Sequence, residues 1–238
     1  MDHRVKLPSR PQDKIIIALD VCDTDAAKRL LDNLDSIPAL CKIGLELFVA
    51  EGPSVVKAVQ SRGCAVFLDL KFHDIPNTVA SAVRSAAGLG VAMTTLHAGG
   101  GPIMLEAAAK ASEGGDLLLL AVTVLTSMDG QQLSSTGVDI TPEAQVLRLA
   151  GLAAQADIGG IVCSPMEIHA VREAFGESLR IVTPGVRPRW SETGDQKRVM
   201  TPSEAVQAGA DWLVIGRPIT AAPDPKSAYS RIVEEIRF

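Results

Sequence analysis

The chain has 238 residues, 47% hydrophobic and 21% charged, enough apolar side chain to offset the entropy of ordering and so to exclude intrinsic disorder. Aromatic residues make up 3%, too few for the stacking platforms of a single-stranded nucleic-acid binder. A net charge of −5 argues against a polyanion-binding face and leaves room for one small cationic pocket. In chain order, β-rich apolar runs fall at 15–21, 40–43, 65–70, 92–96, 117–125, 160–163, 180–183 and 212–215. They are apolar throughout, as strands covered on both faces are. Helical patterns lie between them. The stretch 25–34 follows Thr24, which reads as its N-cap. The stretch 53–62 opens at Pro53 and stops before Gly63, and 78–89 stops at Gly90. The stretches 102–111, 141–156, 165–175 and 202–208 follow the same grammar, and 221–238 closes the chain with Pro223 and Pro225 near its start.

Strand–helix alternation implies parallel strands joined by right-handed crossovers. Eight units over this length average about 30 residues, the size of a βα unit. The first strand ends in Leu19-Asp20-Val21, without the GxGxxG turn of a doubly wound sheet. The expected fold is therefore α/β, a single (β/α)8 TIM barrel over 1–238, with 1–13 as an N-terminal extension. The irregular stretch 184–200 after the seventh strand is expected to be a mobile phosphate or lid loop.

Cys22, Cys41, Cys64 and Cys163 share no CxxC-type spacing, so they read as reduced, buried thiols of a cytosolic protein rather than disulfides or zinc ligands. No apolar run reaches the ~18 residues of a membrane span. The first 14 residues are polar and charged, with no apolar segment of a signal peptide.

Barrel chemistry sits at the C-terminal ends of strands. Those ends carry Asp20, Lys42, Asp69 with Lys71, His97, Thr126 with Ser127, Thr183-Pro184-Gly185 and Gly216-Arg217. Ionisable groups that end apolar strands are costly unless paired, so their convergence on one mouth asks for a function. Asp69 and Lys71 stand two apart on a strand expected to be extended, which points both into the lumen. Asp74 follows at the start of the next helix. Opposite charge favours the ionised form, so Lys71 reads as an ammonium acid rather than a Schiff-base nucleophile. The expected array alternates in sign: Lys42, Asp69, Lys71, Asp74. Gly216 and Arg217, after the eighth strand, stand where barrels cradle a phosphate, with Gly216 permitting close backbone approach and Arg217 supplying a forked cation. His97 is expected to be structural, His73 to point away from Lys71, and His3 and His169 to lie on the surface.

Asp69-Leu70-Lys71-Phe72-His73-Asp74-Ile75-Pro76-Asn77-Thr78 resembles the signature of the orotidine 5'-phosphate decarboxylase family. The likeness extends to Ile17-Ala18-Leu19-Asp20, Lys42-Ile43-Gly44, the run 122–128, the run 182–188, Gly194-Asp195-Gln196 and Val214-Ile215-Gly216-Arg217-Pro218. It implies a cytoplasmic, cofactor-free carbon–carbon lyase, with no resident metal, that converts orotidine 5'-monophosphate (OMP) to UMP and CO₂, the last step of de novo pyrimidine synthesis. By the same resemblance Lys71 protonates C6 of the pyrimidine, and Asp69 lies beside the substrate carboxylate. Asp20 and Lys42 meet the ribose hydroxyls. Ser127 reads the pyrimidine, with Thr126 beside it. Gln196, Gly216 and Arg217 contact phosphate, while Pro184 and Arg187 belong to the closing loop. Asp74 and Thr78 are supplied to the partner's site in a homodimer. The expected partners are thus the nucleotide and a second copy of the chain, with no nucleic acid and no membrane. The alternatives are a metal-dependent sugar-phosphate aldolase or epimerase on the same barrel, against which Lys42 argues, and a non-catalytic nucleotide-binding barrel, which would not need Lys71.

Overall fold

The computed structural model describes residues 7–34, 38–191 and 200–236. Eight parallel strands pair in sequence order and close on themselves, β8 returning to β1. They are β1 (Ile15–Ala18), β2 (Leu40–Gly44), β3 (Ala65–Phe72), β4 (Met93–His97), β5 (Leu118–Val122), β6 (Gly160–Val162), β7 (Arg180–Thr183) and β8 (Trp212–Ile215). Every expected strand is present. Three stop earlier than their apolar runs, at Ala18, Val122 and Val162, where the chain leaves the ladder to build the barrel's mouth.

The helices are α1 (Thr24–Asp32), α2 (Leu45–Glu51), α3 (Pro53–Gln60), α4 (Pro76–Gly88), α5 (Pro102–Ser112), α6 (Gly130–Ser134), α7 (Pro142–Gln155), α8 (Ile168–Phe175), α9 (Pro202–Gln207), α10 (Arg217–Thr220) and α11 (Pro225–Ile236). The cap of α1 is Asp23, not Thr24. The Asp23 carboxylate accepts the Ala26 N–H at 2.7 Å, while the Thr24 hydroxyl donates to Glu51 at 2.8 Å. The 165–175 stretch is a 3₁₀ turn at Pro165–Glu167 followed by α8. The closing stretch becomes helical only from Pro225, because Pro223 and Pro225 delay α11. Among the described residues no helix is long and apolar enough to cross a membrane.

Two apolar cores result. Outward-facing strand residues such as Ile15, Ile17, Ile43, Val66 and Leu68 pack under the helices. Ile16, Leu40, Phe67, Met93, Leu120, Val182 and Trp212 fill the lumen. Cys41, Cys64 and Cys163 are buried thiols outside any disulfide, but Cys22 is exposed, because the chain has already left β1 there. At the N-terminal end of the barrel, Arg172 of α8 donates to the carbonyls of Gly176, Leu179 and Gly209, and to Asp211 Oδ2 at 2.6 Å. Asp211 also accepts the Ile181 N–H at 2.7 Å, so this pair ties α8 to the starts of β7 and β8.

Candidate active site

Inward-facing rows become polar as they rise. Ile16 and Ala18 lead to Asp20, Leu40 leads to Lys42, Phe67 to Asp69, and Met93 to Thr95. The apolar lower layers exclude water, and the last layer opens on a cavity of about 590 Å³. Its walls include Asp20, Lys42, Asp69, Lys71, Thr126, Ser127, Pro184, Arg187, Gly216 and Arg217. Ten of the residues singled out from the sequence therefore meet at one mouth, as the strand-end rule requires.

Asp69 is the hub. Lys71 Nζ lies 2.8 and 2.9 Å from its two carboxylate oxygens, and Lys42 Nζ lies 3.7 Å from Oδ2. Lys42 also donates to Asp20 Oδ1 at 3.1 Å. Gly44 lets the Lys42 head sit there, since a Cβ at Gly44 would stand 2.9 Å from Nζ. Burial pushes the Asp69 carboxyl up, but Lys42, Lys71 and the Thr95 hydroxyl together outweigh it and hold the group below the usual carboxylate range.

The backbone that delivers Lys71 is not the extended strand expected. Leu68 pairs with Thr94 and Phe72 with Leu96, so three residues of β3 face one residue of β4. Lys71 sits in this bulge at φ +52°, in the left-handed region. Its N–H donates to Thr95 Oγ1 at 2.9 Å, and the same hydroxyl donates to Asp69 Oδ1 at 2.9 Å.

The cationic side of the mouth combines Arg187 and Arg217. Arg187 is 9% exposed, and its Nη1 donates to the Val186 carbonyl at 2.9 Å. Burial, then the nearby Arg217 guanidinium, lowers its pKa, so an anion placed between the two would relieve both costs. Gly216 passes close to Asp20: a Cβ there would lie 3.3 Å from Oδ2. The ends of the 184–200 stretch are joined by a Val186–Met200 bridge and by the Arg187 N–H on the Met200 carbonyl at 2.9 Å. Residues 192–199 lie outside the described residues, Gln196 among them.

Asp74 and Thr78 do not line the chain's own cavity. Both are exposed near the start of α4, and Asp74 Oδ1 accepts the Ile75 N–H at 2.6 Å. The four-charge array is thus three charges within one chain, because β3 has ended before Asp74. His73 stacks on the half-buried His97 with ring centroids 5.4 Å apart, and His169 is exposed. His3 lies outside the described residues. Among the described residues no three or more His, Cys, Asp or Glu side chains group to hold a metal ion. Sequence reasoning missed Glu46, Phe67 and Cys163 on the cavity wall, and Thr95 behind it. Thr95 shares its inward parity with Met93 and His97, and that signal would have found it.

A model of the orotidine 5'-phosphate decarboxylase / HUMPS family matches residues 13–232. The chain belongs to this family. A relative in the family, the orotidine 5'-phosphate decarboxylase of Moorella thermoacetica, is 53% identical over 235 residues, covering 95% of this chain and 93% of that protein. The orotidine 5'-phosphate decarboxylase of Shewanella sediminis is 52% identical over 227 residues, covering 93% and 96%. Among solved structures, the orotidine 5'-phosphate decarboxylase of Lactobacillus acidophilus superimposes with a TM-score of 0.83 at 37% identity, covering 95% of this chain and all of that one.

Proposed function

We propose that this chain decarboxylates OMP to UMP and CO₂ without a cofactor, as a carbon–carbon lyase of pyrimidine synthesis. The observation that carries the reading is the Lys71 ammonium held 2.8 Å from Asp69, in a cavity that also presents Arg187 and Arg217. The arginines and the Gly216 backbone take the 5'-phosphate, and Asp20 and Lys42 take the ribose hydroxyls. Thr126 and Ser127 meet the base, and Pro184 closes the wall beside them.

The C6–carboxylate bond breaks, CO₂ leaves, and the electron pair remains on C6. Lys71 stabilises that charge and then transfers a proton to C6, regaining one from water. A fixed ammonium aimed at charge that develops during reaction favours the transition state over bound substrate. Asp69 beside the substrate carboxylate adds a repulsion of about 4 kcal/mol at ~4 Å and an effective dielectric of ~20, which loss of CO₂ removes. Asp74 and Thr78 complete the partner's site across a homodimer. In support, exposed Ile75, which follows Asp74, and exposed Ile103 stand at the N-terminal ends of the packed helices α4 and α5.

A metal-dependent sugar-phosphate aldolase on this barrel would need an open carboxylate where Lys42 Nζ now sits, 3.7 Å from Asp69. Loss of OMP absorbance in the presence of EDTA tests the proposal. Turnover that survives chelation supports it, and turnover lost to EDTA and restored by Mg²⁺ overturns the cofactor-free mechanism.

A further inference from the structure

Thr95 deepens the decarboxylase reading and rests on it. At the β3 bulge, Asp69, Leu70 and Lys71 stand opposite this single residue of β4. A bulge takes backbone groups out of the ladder, and a buried N–H left without an acceptor is costly. The Thr95 hydroxyl, fully buried, accepts the Lys71 N–H and donates to Asp69 Oδ1, both at 2.9 Å. One oxygen therefore ties the backbone of the acid to the carboxylate of its partner. The neighbouring Thr94 serves the outer side of the same irregularity, its hydroxyl donating to the Leu68 carbonyl at 2.9 Å. A residue with a side chain rarely adopts φ +52°, so the conformation of Lys71 needs such an external hold.

We propose that Thr95 is a positioning residue: its hydroxyl substitutes for the lost ladder partner and holds Lys71 and Asp69 in their reactive arrangement. It acts through them and does not itself line the cavity.

The test compares Thr95→Val, which keeps the shape and removes the hydroxyl, with Thr95→Ser, which keeps the hydroxyl. For Thr95→Val the expected result is a fall in kcat of about 10- to 100-fold, the range for a hydrogen bond to a charged group. KM stays within about 3-fold, because the phosphate and ribose contacts are untouched. Thr95→Ser stays within about 3-fold of wild type in kcat. The acid limb of the kcat–pH profile moves to higher pH in Thr95→Val, since Asp69 loses a donor that favours its ionised form. Should Thr95→Val lose its cooperative unfolding transition, Thr95→Ala takes its place, with the same expected loss. A Thr95→Val enzyme with wild-type kcat overturns the proposal. So does a Thr95→Ser enzyme as impaired as Thr95→Val, which would assign the effect to packing. Wild-type turnover of OMP in the same assay reads the parent assignment separately. An inactive wild type overturns decarboxylation and this role together, whereas an active wild type with an unimpaired Thr95→Val removes the role alone.

Discussion

At Asp69, burial and charge act in opposite directions. Burial raises its pKa, and Lys42, Lys71 and Thr95 bring it below the usual value. A depressed folded pKa means stability that is present above the unfolded carboxylate range, near pH 4, and is lost as pH falls below it. Thermal stability is therefore expected to fall from about pH 4 downward, and less steeply in Asp69→Asn, measured by thermal unfolding; identical slopes would contradict this. On the cationic side, Arg217→Ala is expected to weaken UMP binding by about 10- to 100-fold and leave uridine binding within about 2-fold, because a charge-assisted contact to phosphate is lost. Calorimetry with the two ligands reads the difference. The Asp69–Lys71 pairing was legible in their two-residue spacing, although the alternation rule assumes an extended backbone and the bulge violates it. The role of Thr95 was not legible, since a buried threonine in a strand is ordinary until its partners are known.

Elements followed their apolar patterns wherever burial is two-sided. The eight strands read clearly because helices cover one face and the lumen the other. Helix α2 did not, because it has seven residues and buries one, Leu47, leaving no periodic stripe. The Thr24 cap was displaced by one residue because Asp23 offers the better acceptor. Between elements, the Arg172–Asp211 pair is a lock remote from the mouth. Removing one partner of a buried, hydrogen-bonded pair costs about 3–5 kcal/mol. Arg172→Ala is thus expected to lower unfolding free energy by about that amount in denaturant titration, with KM for OMP unchanged. A loss below about 1 kcal/mol would show that the lock contributes little.

For the whole molecule, the question is whether one barrel holds a complete site. The chain's own mouth brings together Lys42, Asp69 and Lys71, while Asp74 and Thr78 face outward. No residue pattern in a single chain reveals where a second copy sits, so their destination came from family resemblance alone. If partners exchange these residues, mixing inactive Lys71→Ala with inactive Asp74→Ala restores activity toward one quarter of wild type at statistical mixing, because one site in each heterodimer is intact. Demonstrated heterodimers without activity would rule out the shared site.

On the proposed mechanism a protonated Lys71, with no cofactor, captures the charge left when CO₂ departs. Its most direct test is CO₂ release from carboxyl-labelled OMP by chelator-treated wild type and Lys71→Ala, at saturating substrate. Wild type is expected to release CO₂ and UMP in equal amounts, and a folded Lys71→Ala that still binds UMP to do so at a rate at least about 1000-fold lower. Comparable CO₂ release from the two proteins would contradict it.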